Sequence, residues 1–446
     1  MAPKASMGNS PHQRRLHTIQ HSSTLPALTL RDMCTCPLCV DPSTRQKLFS
    51  TAEISPDIEV KDIRESDDHL IITWENDFLR NKNHESIFSK DLIGRLLSTG
   101  SSKNLPALPQ RRLWNDKEYR AEVPDLSYEA YMQDDAALYK ALQTLQSHGM
   151  IFLEGVPEAT DSVARLANRI GPLKNTFYGD TWDVRSVPNA KNVAYTSQDL
   201  GFHMDLLYMK QPPHLQLLHC IRSSTEGGAS LFSDSFKAIV QLYEEDREDF
   251  ATLQSRNTTF HYDHIDSHYY QQSRPLIELA PLKFGSQHFA DFNSMTQAIA
   301  KNPEFAWIKK AFRLEDYLDA VSWSPPFQAP YQLTRAENFV TERDFSKSLD
   351  STLRRWHSAA RKFNEIIHKE ENIYERTMKP GECVIFDNRR VLHARRAFEV
   401  ADAGKERWLR GAYTDKDPFL SKLRVLANRY ESRQEAPSQK AETAAA

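Results

Sequence analysis

The chain has 446 residues, 40% hydrophobic and 26% charged, with a net charge of -3 and an isoelectric point near 6.6. That length suits one large domain plus a smaller one, and the composition is ordinary for a soluble globular protein. Nothing here suggests a nucleic-acid partner, and no apolar run approaches the length of a membrane span.

Five cysteines, Cys34, Cys36, Cys39, Cys220 and Cys383, fall as one tight cluster of three and two that stand alone, which is no disulfide framework. A reducing compartment is expected, cytoplasmic or mitochondrial, and secretion is not. Residues 1–28 read as a flexible N-terminus or a targeting segment. The stretch 1–31 carries Lys4, Arg14, Arg15 and Arg31, several serines and no acid, as a mitochondrial presequence would, yet it contains proline and is poorly amphipathic.

A first compact unit is expected over residues 29–97, with strand-like runs at Ile58–Ile63 and Leu70–Trp74. So small a module buries little core and gains from a metal staple. Cys34-Thr35-Cys36-Pro37-Leu38-Cys39 supplies three thiolates, and His69 or His84 would complete a closed Cys₃His zinc site. The competing reading is three plain core or surface thiols.

Residues 98–124, with Pro106, Pro109 and Arg111-Arg112, read as a linker before a large domain over residues 125–430. Leu138, Ala141, Leu142 and Leu145 repeat at helical spacing, with Gly149 where a cap belongs. Met150–Leu153 reads as a buried strand, and Val163, Leu166, Ala167 and Ile170 as a second amphipathic helix. From about Val193 to Tyr413 the apolar runs are short and turn-bounded, which predicts a mainly β sandwich or barrel with flanking helices. One helix interrupts it, with Leu353, Trp356, Ala360, Phe363 and Ile367 on one face. Residues 431–446 lack apolar patterning and read as a disordered tail.

Within this domain His203 and Asp205 sit at i and i+2, which on an extended segment points both to one face. With the distant His393 they would form the two-imidazole, one-carboxylate facial triad of a non-haem Fe(II) site. His-x-Asp is a weak pattern alone, and His261-Tyr262-Asp263 repeats it. The His261–His268 cluster is a second candidate site, or a polar loop over the active-site mouth. Aromatic residues Tyr178, Trp182, Tyr195 and Tyr413 would suit a cage for a quaternary ammonium group, because ring faces attract a cation that cannot donate hydrogen bonds. Each is a core ring otherwise. Asn192 and Asn293 are candidates to orient the substrate, although loop asparagines more often stabilise turns. Cys220 and Cys383 read as plain core.

The motifs Asn192-Val193-Ala194-Tyr195-Thr196, His203-Met204-Asp205, Pro212-Pro213-His214-Leu215-Gln216, Phe386-Asp387-Asn388, Leu392-His393-Ala394-Arg395-Arg396 and Gly411-Ala412-Tyr413 occur in order. Through them the chain resembles the γ-butyrobetaine dioxygenase family, within the taurine-dioxygenase-like Fe(II)/2-oxoglutarate oxygenases. Leu30-Arg31-Asp32-Met33-Cys34-Thr35-Cys36 resembles that family's small zinc module. The resemblance implies a double-stranded β-helix (jelly-roll) oxygenase core preceded by a β-rich zinc-binding module. It implies iron ligands His203, Asp205 and His393, and structural zinc ligands Cys34, Cys36, Cys39 and His84, with His84 preferred over His69. Arg407 is implied to bind the distal carboxylate of 2-oxoglutarate, a role in which a guanidinium fork outperforms lysine; Arg410 is the alternative.

The activity implied is hydroxylation of a small trimethylammonium carboxylate, γ-butyrobetaine to L-carnitine first, in carnitine biosynthesis. N6-trimethyllysine or another betaine is the rival substrate, and a catalytically silent zinc-containing binding protein the rival class. Ascorbate is expected to sustain activity, and a homodimer is expected from the family. Two departures bear on substrate. Leu206 follows Asp205 where γ-butyrobetaine hydroxylases carry an aromatic residue, and His-Met-Asp replaces the commoner His-Thr-Asp.

Overall fold

A computed structural model of the chain describes residues 25–79, 84–99, 107–185, 197–223, 227–280, 313–330, 342–399 and 407–431, with a few residues between 283 and 301. It divides into two compact units, Met1–Leu105 and Pro106–Ala446.

The first unit is built on a three-stranded antiparallel sheet, β1 (Val60–Glu65), β2 (His69–Trp74) and β3 (Glu85–Ser89). Leu70, Ile72 and Trp74 alternate along β2, so one face is apolar, and they pack with Phe88 of β3. Leu30, Ile54, Ile58, Ile93 and Leu96 complete this small core.

In the second unit the strands β4 (Leu126–Ser127), β5 (Met150–Glu154), β6 (Thr181–Arg185), β7 (Leu200–His203), β8 (Leu215–Arg222), β9 (Ser230–Asp234), β10 (Tyr374–Arg376), β11 (Cys383–Asp387), β12 (Val391–Arg395) and β13 (Trp408–Thr414) form two sheets. One has six strands in the order β4-β5-β11-β8-β13-β6, the other four in the order β10-β9-β12-β7. The two face each other across Phe152, Leu218, Phe232, Val384, Phe386 and Leu409. Helices Asp135–His148, Ser162–Ile170 and Lys416–Glu431 cover the outside of the six-stranded sheet. Helices Ser235–Glu245, Arg247–Ser255 and Glu342–Ile367 cover the other. Strands buried on both faces read as near-continuous apolar runs, and β8 does. Gly149 caps the Asp135–His148 helix at φ 80°, a left-handed position that glycine adopts without strain.

This two-sheet core is the arrangement expected of a jelly roll, but the unit is a mixture of sheet and helix, not mainly β. Amphipathic helices close both outer faces. The span 98–124 is also more than a linker. An Asn115–Glu118 capping box starts a helix over Asp116–Glu122, and Trp114 and Tyr119 are buried in the core between the sheets. Proline and arginine neighbours had hidden that short helix. The His261–His268 stretch is the tip of an antiparallel hairpin, Asn257–His264 with His268–Pro275, and not a loop. Phe260 and Tyr262 alternate inward with polar residues between them, a period of two that the histidines disguise. Residues Asn192, Tyr195 and Asn293, most of the 1–28 segment and almost all of the 431–446 tail lie outside the described residues. Among the described residues no helix is long and apolar enough to cross a membrane.

Candidate active site

His203 closes β7 and His393 lies in the middle of β12, directly across the ladder, with ring centroids 4.1 Å apart. Asp205 follows two residues after His203. Its Oδ1 lies 3.4 Å from His203 Nε2 and 3.9 Å from His393 Nε2. The three ligand atoms lie within 4.8 Å of one another.

Hydrogen bonds leave these atoms available to a metal. His203 Nδ1 faces the Gly201 carbonyl at 2.9 Å. A carbonyl only accepts, so Nδ1 carries a proton, and Nε2 is the nitrogen left for a metal. Asp205 Oδ2 accepts from Gln216 Nε2 at 2.8 Å and from Tyr413 Oη at 2.6 Å, which leaves Oδ1 facing the imidazoles. Burial alone would raise the Asp205 carboxyl, but His203 and His393 outweigh it and hold it below the usual carboxylate range. Burial, then the neighbouring His203, pushes His393 down to about 3, so its ring is a neutral donor. Its ring rests against Phe386 at 5.0 Å. Two imidazoles and one carboxylate oxygen, with the remaining side open, fit a non-haem Fe(II).

Asn388, fully buried in the turn from β11 to β12, grips the Asp205 backbone. Its Oδ1 accepts from the Asp205 N–H at 2.8 Å and its Nδ2 donates to the Asp205 carbonyl at 3.0 Å. That turn is pinned in turn by the buried Arg390–Asp234 ion pair at 2.8 Å. Next in the chain, Leu206 stands at φ 60°, a left-handed conformation uncommon outside glycine. Such a residue persists where its surroundings over-determine it, and here the Asn388 bracket does so.

The open side gives onto a pocket lined by Tyr178, Trp182, Tyr208, Phe327 and Tyr413. Trp182 stacks on Tyr413 at 4.0 Å and lies flat over Gly411, where any Cβ would fall 2.4 Å from the indole. Tyr178 and Tyr208 bring their hydroxyls to 3.5 Å. Phe177, with Tyr262 and Tyr270 of the hairpin, backs this wall.

Arg407 lines the same pocket and is buried. Burial and the nearby Arg395 lower its guanidinium to about 10, which leaves it charged at neutral pH. Among the described residues no carboxylate pairs with it. A buried cation so placed calls for an anionic ligand. Arg410, the alternative, is committed elsewhere: it donates to Asp183 at 2.7 Å and to Thr181 at 2.8 Å across β13 and β6.

In the first unit Cys34, Cys36, Cys39 and His84 converge within 4.8 Å, and Cys34 Sγ and Cys39 Sγ each lie 3.3 Å from His84 Nε2. His84 Nδ1 donates to Asp77 Oδ2 at 2.6 Å, which directs the Nε2 lone pair at the thiols. Buried Arg31 holds Asp77 Oδ2 at 2.9 Å and reaches Cys39 Sγ at 3.4 Å. The donor set and the carboxylate behind the histidine fit a closed zinc site. His69, the other candidate, is exposed at the start of β2. The His261–His268 hairpin tip gathers no metal cluster among the described residues.

Residues 109–413 match the taurine catabolism dioxygenase TauD, TfdA family. The chain belongs to this family. It is a dioxygenase. Residues 17–91 match the gamma-butyrobetaine hydroxylase-like N-terminal family. Dioxygenase str8 of Strobilurus tenacellus is 34% identical over 92% of this chain and 87% of its own length. Gamma-butyrobetaine dioxygenase of Homo sapiens is 29% identical over 93% of this chain and 94% of its own, and the mitochondrial trimethyllysine dioxygenase of Rattus norvegicus 26% identical over 93% and 86%.

Four contributors to this TauD-family site escaped the residue-level reading. Gln216 carried a signal, being one amide in the apolar run Leu215–Ile221 of β8, since a buried amide needs a partner. Asn388 was visible only as part of a motif, with no role attached. Tyr208 and Phe327 carried no signal. Their approach to the metal ligands depends on the turn at Leu206 and on the packing of the 325–330 segment.

Proposed function

We propose that this chain holds Fe(II) on His203, Asp205 and His393 and uses 2-oxoglutarate to hydroxylate a small trimethylammonium carboxylate, γ-butyrobetaine before others. The observation that carries it is the open side of the three-ligand cluster, which gives onto a pocket containing both a wall of rings and a buried guanidinium, Arg407, that no carboxylate pairs among the described residues. Fe(II) with 2-oxoglutarate and O₂ supplies the oxidising equivalents, with succinate and CO₂ as co-products. The protein's own task is placement.

Each side chain has a share in that task. Arg407 fixes the distal carboxylate of 2-oxoglutarate through paired N–H donors. Tyr178, Trp182, Tyr208 and Tyr413 seat the trimethylammonium head by cation–π attraction, worth about 0.5–2 kcal/mol per good contact in a desolvated site. Seating the head decides which C–H faces the metal. Relatives named for γ-butyrobetaine and trimethyllysine support this substrate class. In the first unit we assign zinc to Cys34, Cys36, Cys39 and His84, where it would replace core as the source of stability.

A second reading is a different small carboxylate. Leu206 favours it, because an aliphatic side chain stands next to Asp205 in the pocket lining. The deciding assay uses purified protein with Fe(II), ascorbate and 2-oxoglutarate, and follows succinate release with γ-butyrobetaine, N6-trimethyllysine and the neutral tert-butyl isostere of each. Substrate-stimulated turnover with the cations, several-fold above the isosteres, is expected. Equal turnover with cation and isostere defeats the cage, and no turnover stimulated by any of these compounds defeats the trimethylammonium substrate class.

A further inference from the structure

Tyr413 belongs to the ring wall, and its hydroxyl is hydrogen-bonded to Asp205, the carboxylate of the metal-ligand cluster. It donates to Asp205 Oδ2 at 2.6 Å while its ring stacks on Trp182 at 4.0 Å and 25°. The side chain is fully buried on β13, and its strand partner across the ladder is Gln216, the other donor to the same oxygen at 2.8 Å. A carboxylate oxygen only accepts, so the phenol O–H is the donor of this bond. From these observations we propose that Tyr413 is a positioning residue for Asp205: with Gln216 it occupies Oδ2 and leaves the metal a single carboxylate oxygen.

The physical consequence concerns open positions on the ion. A carboxylate free to rotate can chelate through both oxygens and take a position that 2-oxoglutarate or O₂ needs. Two charge-assisted hydrogen bonds from rigid strands resist that rotation. The backbone is held as well, because the Tyr413 carbonyl accepts from Lys174 N–H at 2.8 Å and Asn388 brackets Asp205 from the opposite side. One side chain therefore serves two ends, its ring face the substrate wall and its hydroxyl the metal ligand. The metal half of this assignment rests on the Fe(II) reading above, and the ring half on the trimethylammonium reading.

Tyr413→Phe separates the two ends, since it keeps the ring and removes only the hydroxyl. The full-length protein, with zinc retained and melting temperature checked, is titrated with Mn(II) by the free-ion EPR signal, and separately with γ-butyrobetaine in the Mn(II)-loaded, O₂-free state. Mn(II) affinity should fall about tenfold, the low end for loss of an outer partner because Gln216 remains. Affinity for γ-butyrobetaine should stay within about twofold, because phenylalanine keeps the ring face that attracts a cation. Gln216→Leu, which touches no ring, should weaken Mn(II) similarly, and the double variant should weaken it further. Trp182→Leu should do the reverse, losing the ammonium ligand and keeping Mn(II). An unaltered Mn(II) affinity in Tyr413→Phe overturns the proposal, whether or not γ-butyrobetaine binding changes. If the parent protein binds no trimethylammonium compound while Tyr413→Phe still loses Mn(II), the substrate reading fails and the positioning role stands.

Discussion

Among the described residues, four donors, Cys34, Cys36, Cys39 and His84, close around one point in the first unit, and three, His203, Asp205 and His393, in the second. Both clusters orient a histidine in the same way, by giving its Nδ1 proton an acceptor: the Asp77 carboxylate behind His84, the Gly201 carbonyl behind His203. They differ in what faces the remaining side. Beside Cys39 lies buried Arg31, stacked near Phe49 and Phe78. Beside Asp205 it opens onto a pocket of rings with Arg407 in its lining. A filled coordination sphere stabilises a fold, and an unfilled one beside a shaped pocket does chemistry. Histidine is the one ligand type the two share, so the other donors, the donor count and the open side carry the distinction.

The largest expected effect comes from removing a ligand of the open cluster. Asp205→Ala should abolish succinate release above background while zinc, measured by inductively coupled plasma spectrometry, stays near one per chain. If zinc falls with it, the clusters are not independent. Cys39→Ser tests the converse. It should strip the zinc and melt the first unit, seen as lost protection of β2 amides in hydrogen exchange, because metal binding supplies much of a small module's folding free energy. Binding of Mn(II) to the second unit should persist.

Next in size is Arg407→Ala, which on the proposed assignment would leave the co-substrate's distal carboxylate unpaired in a buried site. A loss of roughly 2 kcal/mol or more is expected, at least thirtyfold in the 2-oxoglutarate requirement, and Arg407→Lys should recover it only in part. Arg410→Ala is the matched comparison: its partner Asp183 is half-exposed, so stability should change by less than about 1 kcal/mol and the 2-oxoglutarate requirement not at all.

A smaller effect should appear in acid. His219 on β8 is fully buried, and burial alone pushes it down to about 4. The unfolded chain binds a proton near 6.5 that the folded chain refuses, so stability is lost as pH falls from 6.5 toward 4. His219→Leu should flatten the fall in melting temperature between pH 7 and pH 5. An unchanged slope would put the acid sensitivity on other groups.

Much of this was legible in sequence where spacing is local. The i, i+2 pair His203 and Asp205, the close thiols Cys34, Cys36 and Cys39, the helix from Asp135 to His148 with its Gly149 cap and the apolar strand β8 all follow from a period of two or 3.6 and from capping chemistry. Patterns failed where polar residues carried the strand, as in the 257–275 hairpin, or where a short helix sat among prolines and arginines, as at Asp116–Glu122.

The sequence by itself therefore determined which residues can ligate a metal, because thiolates, imidazoles and carboxylates at close spacing are scarce and chemically specific. Only the tertiary structure decided what surrounds them. It brought His393 across from His203 through pairing of strands 190 residues apart in the chain, turned Arg407 inward and Arg410 to Asp183, and set Tyr413 and Gln216 side by side on one oxygen of Asp205. Those choices depend on sheet register, and register is set by the burial of whole faces rather than by any local run.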